Sequence, residues 1–236
     1  KPSMVKPMLI LFLLGALQGA IGWIMVASGL TGDAIYVKPA KLALHFVFAL
    51  GLLAYTFWFA LDLLVPKEKI VYNTKINKLT IGILAVLLVQ LVYGAFMAGH
   101  KAATAAPTWP DINGSFIPPN MFGQEGGLLD LIDNRITIHF IHRGLAYLLL
   151  AMVLWQTSRL FKSKETADLK ISSWLPAFLV SFQLALGILS VLASTEIIPN
   201  QWGLFEWMAQ FHQLVAMALL LSQVWLLYLV RRQPAL

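Results

Sequence analysis

Six long apolar stretches constrain this chain more than any other feature of its sequence. They cover roughly residues 7–29, 41–64, 79–98, 136–159, 174–194 and 207–230. A bilayer core about 30 Å thick is crossed by about 20 apolar residues in a helix. Backbone N–H and C=O groups cannot stay unpaired in lipid, so each stretch is read as a helix. The sequence therefore predicts an all-α, polytopic membrane helix bundle with six spans. Pro7 is expected in the first turn of the first span and Pro176 near the start of the fifth, where a missing N–H costs nothing. Composition agrees, since 12% of the residues are charged against about 25% in an ordinary soluble domain. There is no cysteine, which excludes disulfides, thiolate metal sites and cysteine nucleophiles. The net charge of +6 comes mostly from lysines beside membrane segments, so it predicts no nucleic-acid partner. The chain begins at Lys1, and no signal-peptide pattern is recognisable.

The loops sort into two sides by their basic residues. One side carries twelve: Lys1, Lys6, Lys67, Lys69, Lys75, Lys78, Arg159, Lys162, Lys164, Lys170, Arg231 and Arg232. The other carries five: Lys38, Lys41, Lys101, Arg135 and Arg143. Cytoplasmic loops are enriched in Lys and Arg. Both chain ends are therefore expected in the cytoplasm, or in the matrix of a mitochondrion. The connection 99–135, with Asp111, Glu125, Asp130 and Asp133, is then outside. Loops longer than about 12–15 residues are usually functional or disordered. The prolines and aromatics of "TWPDINGSFIPPN" (108–120) predict an ordered cap over the outer surface.

Three spans share Gln-x-x-x-Gly: Gln18 and Gly22, Gln90 and Gly94, Gln183 and Gly187. Residues four apart lie on one helix face. There, glycine admits a neighbouring helix and glutamine can hydrogen-bond across the contact. Gln18 precedes His45 by 27 residues and Gln183 precedes His212 by 29. In both cases the histidine lies near the start of the next span, which suggests an internal repeat.

Histidine and arginine are costly inside a bilayer and are read there as functional candidates. "ITIHFIHRGLAYLLL" (136–150) places His139, His142 and Arg143 in one turn of the fourth span. His45, His142 and His212 each lie five or six residues into spans that enter from the outer side, at a common depth of roughly 8–9 Å. Neutral imidazole is a good iron ligand, and two opposed imidazoles can hold a haem between helices. Arg143 could reach the interface and pair a haem propionate. His139 lies one turn nearer the outside; three roles fit it, an interfacial residue, an alternative ligand or a propionate partner. His100 reads as a loop residue. No carboxylate accompanies the histidines and Asp62 lies at the opposite face, which disfavours a metal hydrolase.

Together these segments resemble the haem A synthase family. The resemblance rests on "QGAIGWIMVASGL" followed by "KLALHF", on "GAFMAGHKAATAAPTWPDING", and on "FIHRGLAYLL", "QLALGILSVL" and "FHQLVAMALL". It covers nearly the whole chain. It implies an architecture of eight spans in two tandem four-helix units, each with a histidine pair for one haem. Residues 1–78 would then be the second half of the N-terminal, substrate-haem unit, and residues 79–236 the C-terminal, cofactor unit. The resemblance implies that His142 and His212 ligate a haem b iron, that His139 is an extra histidine, and that His45 is one ligand of the substrate, haem O. The implied reaction oxidises the C8 methyl of haem O to a formyl group, giving haem A for cytochrome oxidase. The implied setting is a bacterial plasma membrane or mitochondrial inner membrane, with the haem layer toward the outer side. Haem O, membrane lipid, a haem O synthase and oxidase assembly factors are the implied partners. The family's glutamate in its first outer loop has no counterpart here, so no catalytic residue is assigned. Two helices and an outer loop are expected before Lys1 in the full gene product, and this chain alone is expected to bind haem b without converting haem O. The alternatives are a non-enzymatic b-type haem protein for electron transfer or haem carriage, and a structural assembly protein without haem.

Orientation can be checked with single cysteines, because the chain has none of its own. In intact cells an impermeant thiol reagent should label Asn113→Cys and leave Lys75→Cys unlabelled. The reverse pattern would invert the assignment.

Overall fold

The computed structural model describes residues 2–30, 34–119, 121, 127–163 and 167–232. Lys1, Asn120, Glu125 and Lys164, used above in the charge count and loop reading, lie outside the described residues. The helices in chain order are α1 (Pro2–Ala27), α2 (Pro39–Leu64), α3 (Thr74–Gly99), a single turn α4 (Asp130–Asp133), α5 (Arg135–Phe161), a short α6 (Ala167–Ser172), α7 (Trp174–Ala193) and α8 (Leu204–Leu229). Six of the described helices are long and apolar enough to cross a membrane. They coincide with the six expected spans. The chain is a polytopic helical membrane protein.

Local chemistry sets the helix starts. Asn73 accepts the Ile76 N–H and opens α3 five residues before the apolar run. Asn134 accepts from the N–H groups of Ile136 and Thr137 and opens α5. Each satisfies donors that the first helical turn leaves without intrahelical partners. Glu206 reaches back to the Gly203 N–H at 2.8 Å and starts α8 at Leu204. The first-turn placement of Pro7 is corrected: α1 begins at Pro2 and contains Pro7. The hydrogen bond lost there is the one to the carbonyl of residue 3, at a helix end where other partners can replace it. Pro176 is the third residue of α7, as expected.

The bundle is built around a closed ring. α3 packs on α5, α5 on α7, α7 on α8 and α8 on α3. α2 lies against α3 and α8, and α1 packs extensively only on α2. Ile83, Leu87, Leu149, Val153, Val180, Leu219 and Val224 fill the ring, joined by Leu50 from α2. One pairing departs from an all-helical layout. Two-residue strands β1 (Val71–Tyr72) and β2 (Val230–Arg231) run parallel, with Val71 opposite Val230. The Asn77 amide donates to the Val230 carbonyl at 2.7 Å. The end of α8 is thereby tied to the α2–α3 connection.

Inside the ring sits a polar layer that periodicity did not reveal. Gln156 of α5 and Gln223 of α8, both fully buried, exchange reciprocal amide hydrogen bonds of 3.2 and 3.0 Å. Gln156 also donates to the Thr80 hydroxyl of α3 at 2.8 Å. The layer locks three of the ring's four helices in register.

Replacing Gln223 leaves the buried Gln156 Oε1 without its donor, which costs about 1–3 kcal/mol. Gln223→Leu should therefore lower the unfolding temperature of the detergent-solubilised protein. The double variant Gln156→Leu/Gln223→Leu should recover much of that loss. A double variant as unstable as the sum of the two singles would show that the reciprocal pair is not the stabilising unit.

Candidate functional site

The three Gln-x-x-x-Gly sequences turn out to be three copies of one contact. In each, the glycine lies against the histidine of a neighbouring helix. A Cβ built on Gly22 would stand 2.9 Å from His45 Cε1, one on Gly187 would stand 3.0 Å from His212 Cε1, and one on Gly94 would stand 3.4 Å from His142 Cε1. The glutamine four residues earlier meets the same histidine. Gln18 Nε2 lies 3.1 Å from His45 Nδ1 and donates to the His45 carbonyl at 3.1 Å. Gln90 Nε2 lies 3.4 Å from His142 Nε2. His212 Nδ1 donates to the main-chain carbonyl of Gln183 at 3.1 Å. The α3–α5 copy escaped the sequence repeat because Gln90 and His142 are 52 residues apart, with the long loop between them.

Two copies face each other across the ring. The imidazoles of His142 and His212 have centroids 6.3 Å apart and planes inclined at 64°. The hydrogen bond to the Gln183 carbonyl fixes the His212 tautomer, with the proton on Nδ1 and a free lone pair on Nε2. His45 sits in the third copy, between α1 and α2. Among the described residues, no three His, Cys, Asp or Glu side chains converge as a metal site. Asp62 accepts a hydrogen bond from the Tyr228 hydroxyl at 3.2 Å, at the end of the bundle away from the histidines.

Arg143 does more than its position in the sequence suggested. Its guanidinium donates to the carbonyls of Asp111 (2.7 Å), Thr108 (2.5 Å) and Ala106 (3.4 Å). Its Nε–H donates to His139 Nε2 at 3.0 Å. Three of the five guanidinium N–H groups thus bind the loop to α5, and a fourth is held within the helix by His139. His139 is 1% exposed and is a buried acceptor for Arg143. His100 caps the end of α3 and lies 3.9 Å from Asp133.

The described part of the loop is an ordered cap. Thr108 donates to the Asp111 carbonyl, Asn113 donates to the Ala105 carbonyl, and the Asp111 carboxylate accepts the Gly114 N–H at 2.9 Å. Arg135 donates to the Lys101 carbonyl and the Thr104 hydroxyl. Trp109 Nε1–H donates to the Tyr147 hydroxyl on α5 at 3.1 Å. Pro110, Ile112 and Phe116 line a cavity of about 140 Å³ with Phe140, Arg143, Gly144 and Tyr147 of α5.

Fold and site together define a polytopic membrane protein with an intramembrane histidine centre beneath an ordered loop. The profile of the family described as "Cytochrome oxidase assembly protein" (COX15-CtaA) matches residues 1–224, and the chain belongs to that family. It is 35% identical over 227 residues to the protein named Heme A synthase from Flavobacterium johnsoniae, covering 94% of this chain and 64% of that protein. It is 39% identical over 189 residues to the Heme A synthase of Rhodopseudomonas palustris strain HaA2, covering 79% and 51%. Against the Heme A synthase of Nitrosospira multiformis it is 33% identical over 228 residues, covering 94% and 61%. The chain thus spans between half and two thirds of the length of these curated relatives. No solved structure matches it.

The loop carries a testable pH dependence. The Gly114 N–H and then the Thr108 hydroxyl hold the Asp111 carboxyl below its ordinary value against an opposing effect of burial, with a lesser contribution from the Arg143 guanidinium. A carboxyl with a depressed folded pKa stabilises the fold above its unfolded pKa and ceases to do so as pH falls through the folded one. Protection of the Gly114 amide from hydrogen exchange, corrected for intrinsic rate, should therefore hold from pH 7 to 5. It should fall only below the ordinary carboxylate pKa of about 4. Asp111→Asn should reduce protection at pH 7 and flatten the profile.

Proposed function

We propose that the protein is a haem A synthase, oxidising the C8 methyl of haem O to the formyl group of haem A for cytochrome oxidase. The observation that carries this reading is the opposed pair His142 and His212, each seated on a glycine of the adjoining helix. Two imidazoles without a third protein ligand suit a metal that brings its other ligands with it, as iron does in a porphyrin. Imidazoles bound at about 2 Å on either side of one metal stand with ring centres roughly 6 Å apart, and the observed 6.3 Å fits. The names of the relatives support the same reading.

His142 and His212 would hold haem b, with the Gln183 carbonyl keeping the His212 lone pair on Nε2. His45, with Gln18 and Gly22 behind it, would be one ligand of the substrate, haem O. When bound, the haem iron supplies the oxidative chemistry, while the chain supplies binding, orientation and electrostatics. The fifth guanidinium N–H of Arg143 suits a haem propionate. His139 acts through Arg143, by accepting its Nε–H. The apolar helices exclude water around the imidazoles. The closed ring α3, α5, α7, α8 supports reading residues 79–236 as the cofactor unit, with α1 and α2 in residues 1–78 belonging to the substrate unit. The twelve-to-five basic asymmetry supports a bacterial plasma membrane or mitochondrial inner membrane setting with the histidine end outward. Haem O synthase and oxidase assembly factors are the expected partners.

A reduced-minus-oxidised visible spectrum of purified protein tests the ligand pair. His142→Ala and His212→Ala should each lose the low-spin haem b signal, and His139→Ala should largely keep it. Full retention in both ligand variants would overturn the assignment. Expressing the gene in a host that makes haem O but no haem A, followed by chromatography of extracted haems, tests the reaction. Haem A should appear when the full gene is expressed; a haem b signal without haem A from the full gene would favour a non-enzymatic b-type protein.

A further inference from the structure

We propose that Gly22, Gly94 and Gly187 are positioning residues that set the direction in which the three imidazoles present their nitrogens. This rests on the haem reading above and deepens it. In an imidazole ring Cε1 lies between the two nitrogens, so pressing Cε1 against bare helix backbone turns Nδ1 and Nε2 to opposite sides of the contact. That is the arrangement at His212, where Nδ1–H meets the Gln183 carbonyl on one side and Nε2 is left for a ligand on the other. Groups that hold the non-ligating nitrogen of a metal-bound histidine orient the ring and tune its basicity. Here the orienting group is a helix main chain, and it is accessible because residue 187 has no side chain.

The same seat occurs at all three histidines and, among the described residues, at none of the other tightly packed glycines. Gly29, Gly99 and Gly203, the other described glycines with contacts under 3.4 Å, meet backbone at Tyr36 and Val37, Pro39, and the Glu206 carboxylate respectively. Gly15, Gly19, Gly51 and Gly144 have nothing within 4 Å of an added Cβ. The seat is therefore specific to the imidazoles and is not a by-product of glycine-rich helices. The glutamines complete it through different atoms and at different ring nitrogens: the Gln183 main chain at His212 Nδ1, the Gln90 amide 3.4 Å from His142 Nε2, and the Gln18 amide 3.1 Å from Nδ1 and 3.4 Å from Nε2 of His45. The Oε1 atoms of Gln18, Gln90 and Gln183, and Nδ1 of His142, are buried without a partner, so each seat keeps unused hydrogen-bonding capacity.

The clearances order the consequences. An added methyl at Gly22 meets Cε1 at 2.9 Å and must displace the ring, at Gly187 it meets Cε1 at 3.0 Å and needs a shift of a few tenths of an ångström, and at Gly94 it meets Cε1 at 3.4 Å, at the edge of ordinary van der Waals contact. The test uses the purified haem-loaded protein, with low-temperature electron paramagnetic resonance of the ferric low-spin haem, the midpoint potential and the haem dissociation rate as readouts. The g-anisotropy reports the orientation of the axial imidazoles, which a merely structural role would not move. Gly187→Ala should shift the g-values of the haem held by His142 and His212 and weaken its retention by about 10- to 100-fold. Gly94→Ala should shift them in a smaller degree, and it carries the same reading should Gly187→Ala fail to accumulate. Gly22→Ala should leave that haem unchanged and alter only a haem O bound at His45. Gly15→Ala and Gly51→Ala should leave both signals as in the wild type. Wild-type g-values, potential and retention in both Gly187→Ala and Gly94→Ala would overturn this inference while leaving the haem assignment intact. A wild-type protein with no low-spin haem would overturn the assignment and this inference with it.

Discussion

A polar side chain carried into hydrocarbon has to find its partner inside the protein, because lipid offers none. That requirement organises the bundle. It brings Gln156, Gln223 and Thr80 together across the ring of α3, α5 and α8. Nearer the loop-bearing end it seats each histidine against a glutamine and a glycine of the adjoining helix. The two layers differ in completeness. The amides of Gln156 and Gln223 satisfy each other. The histidine layer keeps buried polar atoms without partners, on Gln18, Gln90, Gln183 and His142. Buried groups of that kind are rare in native structures and point to a functional role.

Arg143 joins the membrane layer to the loop. A guanidinium at the top of α5 is costly unless its donors are satisfied, and here loop carbonyls satisfy three of them. The loop gains in return. Carbonyls in an irregular segment lack a ladder of partners, and one planar side chain gathers those of Ala106, Thr108 and Asp111. Order in the loop and the geometry of the histidine turn are thus coupled through one residue, with His139 as the buried acceptor behind it.

Much of the fold was legible in the sequence because apolar length is a strong signal. Six spans were expected and six such helices are present among the described residues. Their starts were less legible, since α3 begins at a polar cap, Asn73 and Thr74, ahead of its apolar run. The two-residue strand pair β1–β2 was not legible at all. Its partners are separated by almost the whole ring, and two residues carry no period. In the site, His142 and His212 stood out as polar groups in apolar helices. The third seat, Gln90 with His142, did not, because the intervening loop hid a relation that spacing alone had suggested for the other two.

The sequence by itself determined that the chain crosses a membrane, how many times, and which rare side chains it takes inside. Those properties follow from the transfer cost of each residue and from helix geometry, both of which are local. The tertiary structure decided the rest. It selected which histidines face each other, assigned three glycines to three imidazoles, and turned Arg143 toward the loop. It also buried His139 behind that arginine. These outcomes depend on which helix faces which, and that is set by packing and polar satisfaction across the bundle, between residues as far apart in sequence as Asp62 and Tyr228, 166 positions.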